Sequence, residues 1–142
     1  MTASLGADCR GIAAVEFAMT SSISLMLLLG TIEIGRMMSA QHALNLGVDR
    51  AVRYAVVHGS NSSSPVTPGS PTPVSNTFTA TATPLLGSAV STCHVTVTYA
   101  SNSNAPGSQV TVSVTYAWKP IAPITHLPSM TLSASSVGTI QN

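Results

Sequence analysis

The chain has 142 residues, of which 44% are apolar and only 6% charged, with a formal net charge of +1. An ordinary soluble domain carries about a quarter charged residues, so charge does not keep this chain in solution. Five Lys and Arg cannot neutralise a run of phosphates, which argues against a nucleic-acid surface, and the abundance of Ser, Thr, Asn and Gly suits an extracytoplasmic one.

The first element is a helix expected from Ile12 to about Val57. Its front half, Ile12 to Met38, holds an uncharged run from Phe17 to Ile32, which Ala13, Ala14 and Val15 extend to about 20 residues. At about 1.5 Å per residue that approximates a hydrocarbon thickness of about 30 Å. Ser21, Ser22, Ser24 and Thr31 fit such a span if their hydroxyls bond to the preceding turn. Glu16 stands at the mouth of the run. A carboxylate there costs roughly 2.5–3.5 kcal/mol if carried to the bilayer centre, so it calls for a partner. A secretory signal is the competing reading, but its basic segment would have to contain Glu16 and its apolar core would be unusually long. Glu33 and Arg36, three apart, read as an ion pair at the rim, and the charge balance barely favours a cytoplasmic N-terminus.

Beyond the span, Ala40, Leu44, Val48, Ala51, Val52 and Ala55 recur at three- and four-residue spacing, so residues 39–58 form an amphipathic continuation of the helix. His58-Gly59 suggests a C-terminal glycine cap. Residues 59–76, with Ser62-Ser63-Ser64 and Pro65, Pro68, Pro71 and Pro73, read as an exposed loop or linker.

Residues 77–142 are expected to be β. Val90 to Tyr99 alternates, with Cys93, Val95, Val97 and Tyr99 on one face, and Val110 to Trp118 repeats the pattern. The turn-rich Ser101 to Gly107 connection favours an antiparallel pair. Thr77 to Thr83 and Met130 to Ser136 are weaker strands, while Pro120, Pro123 and Pro128 hold the intervening segment to a loop or edge. The expected class is α+β: a long N-terminal helix, half transmembrane and half amphipathic, packed against a small antiparallel sheet that needs an apolar cover.

Candidate chemistry is sparse. His42, His58, His94 and His126 have no neighbours at ligand spacing, and strand alternation sends Cys93 and His94 to opposite faces. Cys93 reads as a buried thiol, with an intermolecular bridge as the alternative. Tyr116 and Trp118 read as core or rim anchors. No metal, cofactor or catalytic constellation is expected, and an enzyme is the weakest of the function classes.

Three segments together point further: Gly11-Ile12-Ala13-Ala14-Val15-Glu16-Phe17, Ile32-Glu33-Ile34-Gly35-Arg36, and Asp49-Arg50-Ala51-Val52-Arg53-Tyr54-Ala55. From Arg10 to Gly59 the chain resembles the TadE-like family of minor pilins or pseudopilins of bacterial tight-adherence (Flp) pilus systems, and the Val110 to Trp118 strand with its following prolines resembles the family more loosely. The resemblance implies that residues 1–11 are a prepilin leader cut by a prepilin peptidase after Gly11, leaving Ile12 as the new N-terminus. Glu16 and Phe17 would then be the fifth and sixth mature residues, with Glu16 pairing to a freed amine during assembly. It implies as partners the peptidase, major and minor pilin subunits, an inner-membrane assembly platform and the lipid bilayer, with no nucleic acid. The implied location is the bacterial inner membrane, single-pass, with the C-terminal part extracytoplasmic or carried into a surface pilus. The alternative is a β-rich binding or adhesion domain, membrane-anchored or secreted.

Overall fold

The computed structural model describes residues 5–121 and 128–141, with side chains from Gly11 onward. The expectations for residues 1–4, for the side chains of Cys9 and Arg10, and for Pro123 and His126 lie outside the described residues. Two compact units divide the chain: Met1–Gly35 with Pro120–Pro128, and Arg36–Lys119 with Ser129–Asn142.

Helix α1 runs over Leu5–Val57 and contributes to both units. Its end agrees with the expected one, while its start lies upstream of Ile12. In the second unit the anticipated stripe is the core: Leu44, Val48, Ala51, Val52 and Ala55 are buried, and Ala40 packs partly against them. This stripe covers a three-stranded antiparallel sheet of order β1-β2-β3, formed by β1 (His94–Tyr99), β2 (Gln109–Trp118) and β3 (Met130–Thr139). The fold is α+β, as the patterning implies.

Strand register follows the alternation. Val114 lies between Val95 and Ala134, Val112 between Val97 and Ser136, and Val110 between Tyr99 and Gly138. Val110, Val112, Val114 and Trp118 all face the core. Gly138 is small for a reason, because a Cβ there would lie 2.6 Å from Val52 Cγ1 and from Val56 Cγ2. The helix thus approaches β3 closely, and two polar contacts fasten it: Gln41 Nε2 donates to the Ser133 carbonyl at 2.9 Å, and the Gln141 amide donates to the Val56 carbonyl at 3.1 Å. Gln41 lies off the apolar stripe, so its role as a tie to an edge strand was not visible in the periodicity.

Four expectations are corrected. Thr77 to Thr83 is not a strand but part of helix α2 (Thr72–Leu86), so residues 77–86 are helical. Its alternation is also consistent with an i, i+4, i+8 row, and Val74, Phe78 and Ala82 on that row are all buried. The intervening threonines turn their hydroxyls back to carbonyls four residues earlier, as in Thr77 to Pro73 at 2.9 Å and Thr81 to Thr77 at 2.8 Å. Pro71 at the N-cap and Pro73 in the first turn sit where a missing N–H is tolerated.

The Ser/Pro segment is the second correction. It ends at Pro71 and is tied down: the Val66 amide donates to the His58 carbonyl at 2.8 Å, Asn104 Nδ2 donates to the Val66 carbonyl at 3.1 Å, and Val66 is buried. Third, Gly59 does not cap α1 in the left-handed conformation; positive φ among the glycines falls on Gly87 and Gly107. Instead the His58 ring stacks on Tyr54 with centroids 4.0 Å apart, and its Nδ1 hydrogen-bonds the Tyr54 carbonyl at 2.8 Å. Fourth, the strand expected from Val90 begins only at His94, because Gly87–Thr92 is a 3-10 turn closed by the Cys93 amide on the Val90 carbonyl at 3.1 Å. At the other end β3 continues past Ser136 to Thr139.

One core group is unsatisfied. The Tyr99 hydroxyl is buried with no hydrogen-bond partner among the described residues, and burial pushes its pKa up. Removing an unpaired buried hydroxyl while keeping the ring leaves the packing and relieves the desolvation penalty. Tyr99→Phe is therefore expected to be neutral or stabilising by about 1 kcal/mol in denaturant titration; a loss of that size would mean the hydroxyl has a partner in solution.

Candidate functional site

The first unit presents the residues singled out at the chain's start. On α1, Gly11, Val15, Met19 and Ile23 form one row at four-residue spacing, and Ile12, Glu16 and Thr20 form the adjacent one. Together they line a single open, mostly apolar face. Its apolar side chains are bare, with Ile12 67%, Val15 61% and Met19 63% exposed, and Glu16 is exposed among them. Phe17, 73% exposed, does not line this face. The structure thus brings Gly11, Ile12 and Glu16 together and sets Phe17 beside them.

The hydroxyls along this helix are occupied internally. Thr20 Oγ1 donates to the Glu16 carbonyl at 2.9 Å, Ser24 Oγ to the Thr20 carbonyl at 2.9 Å, and Ser22 Oγ to the Met19 carbonyl at 2.8 Å. Ser21 and Thr31 do the same at 3.1 and 2.8 Å. Each of these hydroxyls has its partner on the preceding turn, which is what an apolar medium demands. An 18-residue window of this helix reaches a mean hydropathy of 1.9 with none of it buried. The helix is a candidate membrane anchor.

Comparison with protein families bears on this same helix: residues 11–53 match the family model of TadE-like proteins. Over this stretch the chain is similar to TadE-like proteins. The match begins at Gly11 and takes in Glu16, Phe17, Glu33 and the core-forming half of α1 as far as Arg53, and leaves the sheet and α2 outside it. Comparison with the curated proteins and with the solved structures gives no match. The matched segment therefore includes both the exposed apolar face around Glu16 and the stripe that closes the core of the second unit as far as Val52.

Sequence reasoning missed the environment of Glu33. Expected as a rim residue, it is only 3% exposed, and its Oε1 accepts the backbone N–H of Ile121 at 2.8 Å across 88 residues of sequence. Its placement between Ile32 and Ile34 was the signal, since a charge interrupting an apolar row asks for a specific partner.

The remaining candidates have structural places. Trp118 is buried and Tyr116 half-buried against the core, as anchors should be. Cys93 is half-buried against the core while His94 is exposed, so alternation separates them as expected. Burial raises the Cys93 thiol pKa above its ordinary value of 9.0, which lowers the thiolate fraction at any pH below that range. Iodoacetamide at pH 8 is expected to alkylate Cys93 more slowly in the folded protein than in urea, with the gap narrowing as pH rises. Equal rates in both states would remove the burial argument.

Proposed function

We propose that the protein is a minor pilin, or pseudopilin, that takes part in assembling a tight-adherence (Flp) pilus in the bacterial cell envelope. The observation that carries this reading is Glu16, an exposed carboxylate five residues beyond Gly11 on an otherwise apolar helix face inside the TadE-like match. In this reading a prepilin peptidase cuts after Gly11, the new amine of Ile12 becomes a counter-charge, and the helix holds the chain in the inner membrane with its N-terminus cytoplasmic. Its partners are the peptidase, neighbouring major and minor pilins, the assembly platform and lipid. The role is structural and involves no catalysis.

Cleavage at this bond has a conformational requirement. The helix passes through Gly11–Ile12, so a protease that binds extended backbone must first open it. Gly11 is a suitable place, because glycine weakens a helix by about 1 kcal/mol relative to alanine.

The test is the intact mass and N-terminal sequence of the protein from its native membrane, in cells with and without the prepilin peptidase. A chain beginning at Ile12 only when the peptidase is present is the expected result. An uncut chain in both strains would overturn the reading and return the anchored binding domain as the working function.

A further inference from the structure

We infer that the protein has a second membrane contact, formed where the β2–β3 connection starts at Ile121 and held against the apolar helix by Glu33. The inference rests on α1 being a membrane anchor and concerns what else enters the same bilayer. Pro120–Pro128 groups with Met1–Gly35 rather than with the sheet that it connects. A bond among the described residues joins them, from the Ile121 amide to Glu33 Oε1 at 2.8 Å, and Glu33 is shielded from solvent. The Ile121 side chain is 73% exposed, and near Glu33 along α1 the Leu28, Ile32 and Ile34 side chains are 57%, 52% and 48% exposed.

An apolar surface of this kind fits lipid for three reasons. Non-helical backbone meets a bilayer only where its polar groups have internal partners, and the Ile121 N–H has one. Pro120, just before it, has no N–H to satisfy. No Asp, Glu, Lys or Arg occurs after Lys119, so no fixed side-chain charge following Ile121 opposes its entry into the interface. Lys119 immediately precedes it, where a cation can remain among headgroups. Glu33 is then a positioning residue: it anchors backbone, and its burial keeps a carboxylate away from the acyl chains.

The full-length protein is placed in phosphatidylcholine/phosphatidylglycerol vesicles. A single environment-sensitive fluorophore is attached through Leu25→Cys, Ile121→Cys or Val137→Cys, with Cys9 and Cys93 replaced by alanine, and quenching by nitroxide-labelled lipid is measured. Val137 is an exposed β3 residue of the second unit and serves as the water-facing reference. The expected result is several-fold stronger quenching at positions 25 and 121 than at 137. Glu33→Ala should abolish the effect at 121 while leaving 25 quenched, and Glu33→Gln, which keeps an acceptor oxygen, should preserve it.

Quenching at 25 but not at 121 overturns the second contact and leaves the anchor standing. Loss of quenching at 25 as well overturns the anchor itself. Quenching at 121 that survives Glu33→Ala overturns the role given to Glu33. A label at 121 that is open to water in vesicles yet protected in isolated fibres would assign this surface to a protein neighbour and overturn the lipid assignment. Unchanged emission from Trp118 in each variant keeps a folding defect from being mistaken for any of these.

Discussion

Phe78→Ala is expected to lower the stability of the sheet-bearing unit by about 3–5 kcal/mol, the range for removing a fully buried aromatic side chain. Phe78 is 0% exposed and meets α1 at Gly47, where a Cβ would lie 2.7 Å from Phe78 Cδ2 and 2.8 Å from Cε2. Gly47→Ala should therefore destabilise the native protein, because the ring must shift to admit a methyl group. In the Phe78→Ala background the obstruction is gone and the helix-propensity term remains, so the same substitution should stabilise by up to about 1 kcal/mol. This sign reversal is a coupling that additive effects cannot produce. Denaturant titration of the full chain in detergent, followed by emission of the single tryptophan, Trp118, reads it directly. If Gly47→Ala has the same sign in both backgrounds, the close approach of α1 and α2 does not exist in solution.

On the proposed reading, Glu16→Gln is expected to leave cleavage after Gly11 intact and to reduce recovery of the protein in the fibre fraction by about a hundredfold to several thousandfold. The magnitude follows from the approximately 3–5 kcal/mol lost when one member of a buried ion pair is removed, with about 1.4 kcal/mol for each factor of ten. Glu16 shares its helix face with Ile12, Val15, Met19 and Ile23, none of which offers it a counter-charge, so the amine released at Ile12 is the cation that processing would supply. Before the proposed cut there would be only an amide at that point, so in that reading a paired Glu16 would mark the matured chain. Quantitative immunoblotting of membrane and sheared-fibre fractions separates the two steps. Wild-type recovery of Glu16→Gln in fibres would remove the pairing role, whereas loss of cleavage would place Glu16 in recognition by the peptidase.

The parts of the fold with a single consistent period were legible in the amino acids. The Leu44, Val48, Ala51, Val52, Ala55 stripe of α1 and the Val95–Val97–Tyr99 and Val110–Val112–Val114 alternations could each adopt only one secondary structure with an apolar face. Helix α2 was not legible because Phe78, Ala80 and Ala82 between threonines satisfy a period of two, while Val74, Phe78 and Ala82 satisfy a helical one. Packing against Gly47 decides between them, and that contact joins residues far apart in sequence. The long-range bonds of Glu33 and Gln41 were not legible for a related reason: Glu33 read as half of a rim pair with Arg36 and Gln41 lay off the apolar stripe, while each bonds backbone about ninety positions away, across 88 and 92 residues respectively. That Gly11, Ile12 and Glu16 share one face of α1, on two adjacent rows, follows from local helical geometry alone.

The stripe of α1 that closes the core has a practical corollary for anyone trimming the chain to obtain a water-soluble fragment. Cutting after the helix, at Gly59, would strip Leu44, Val48, Ala51, Val52 and Ala55 from the interior and leave the apolar side of β2 bare. The edge of β3 would also lose its tie to Gln41 and become a template for strand-to-strand aggregation. A fragment starting at Arg36 keeps those residues but parts Ile121 from Glu33, so its weakest point for proteolytic nicking should be the Pro120 end of the β2–β3 connection.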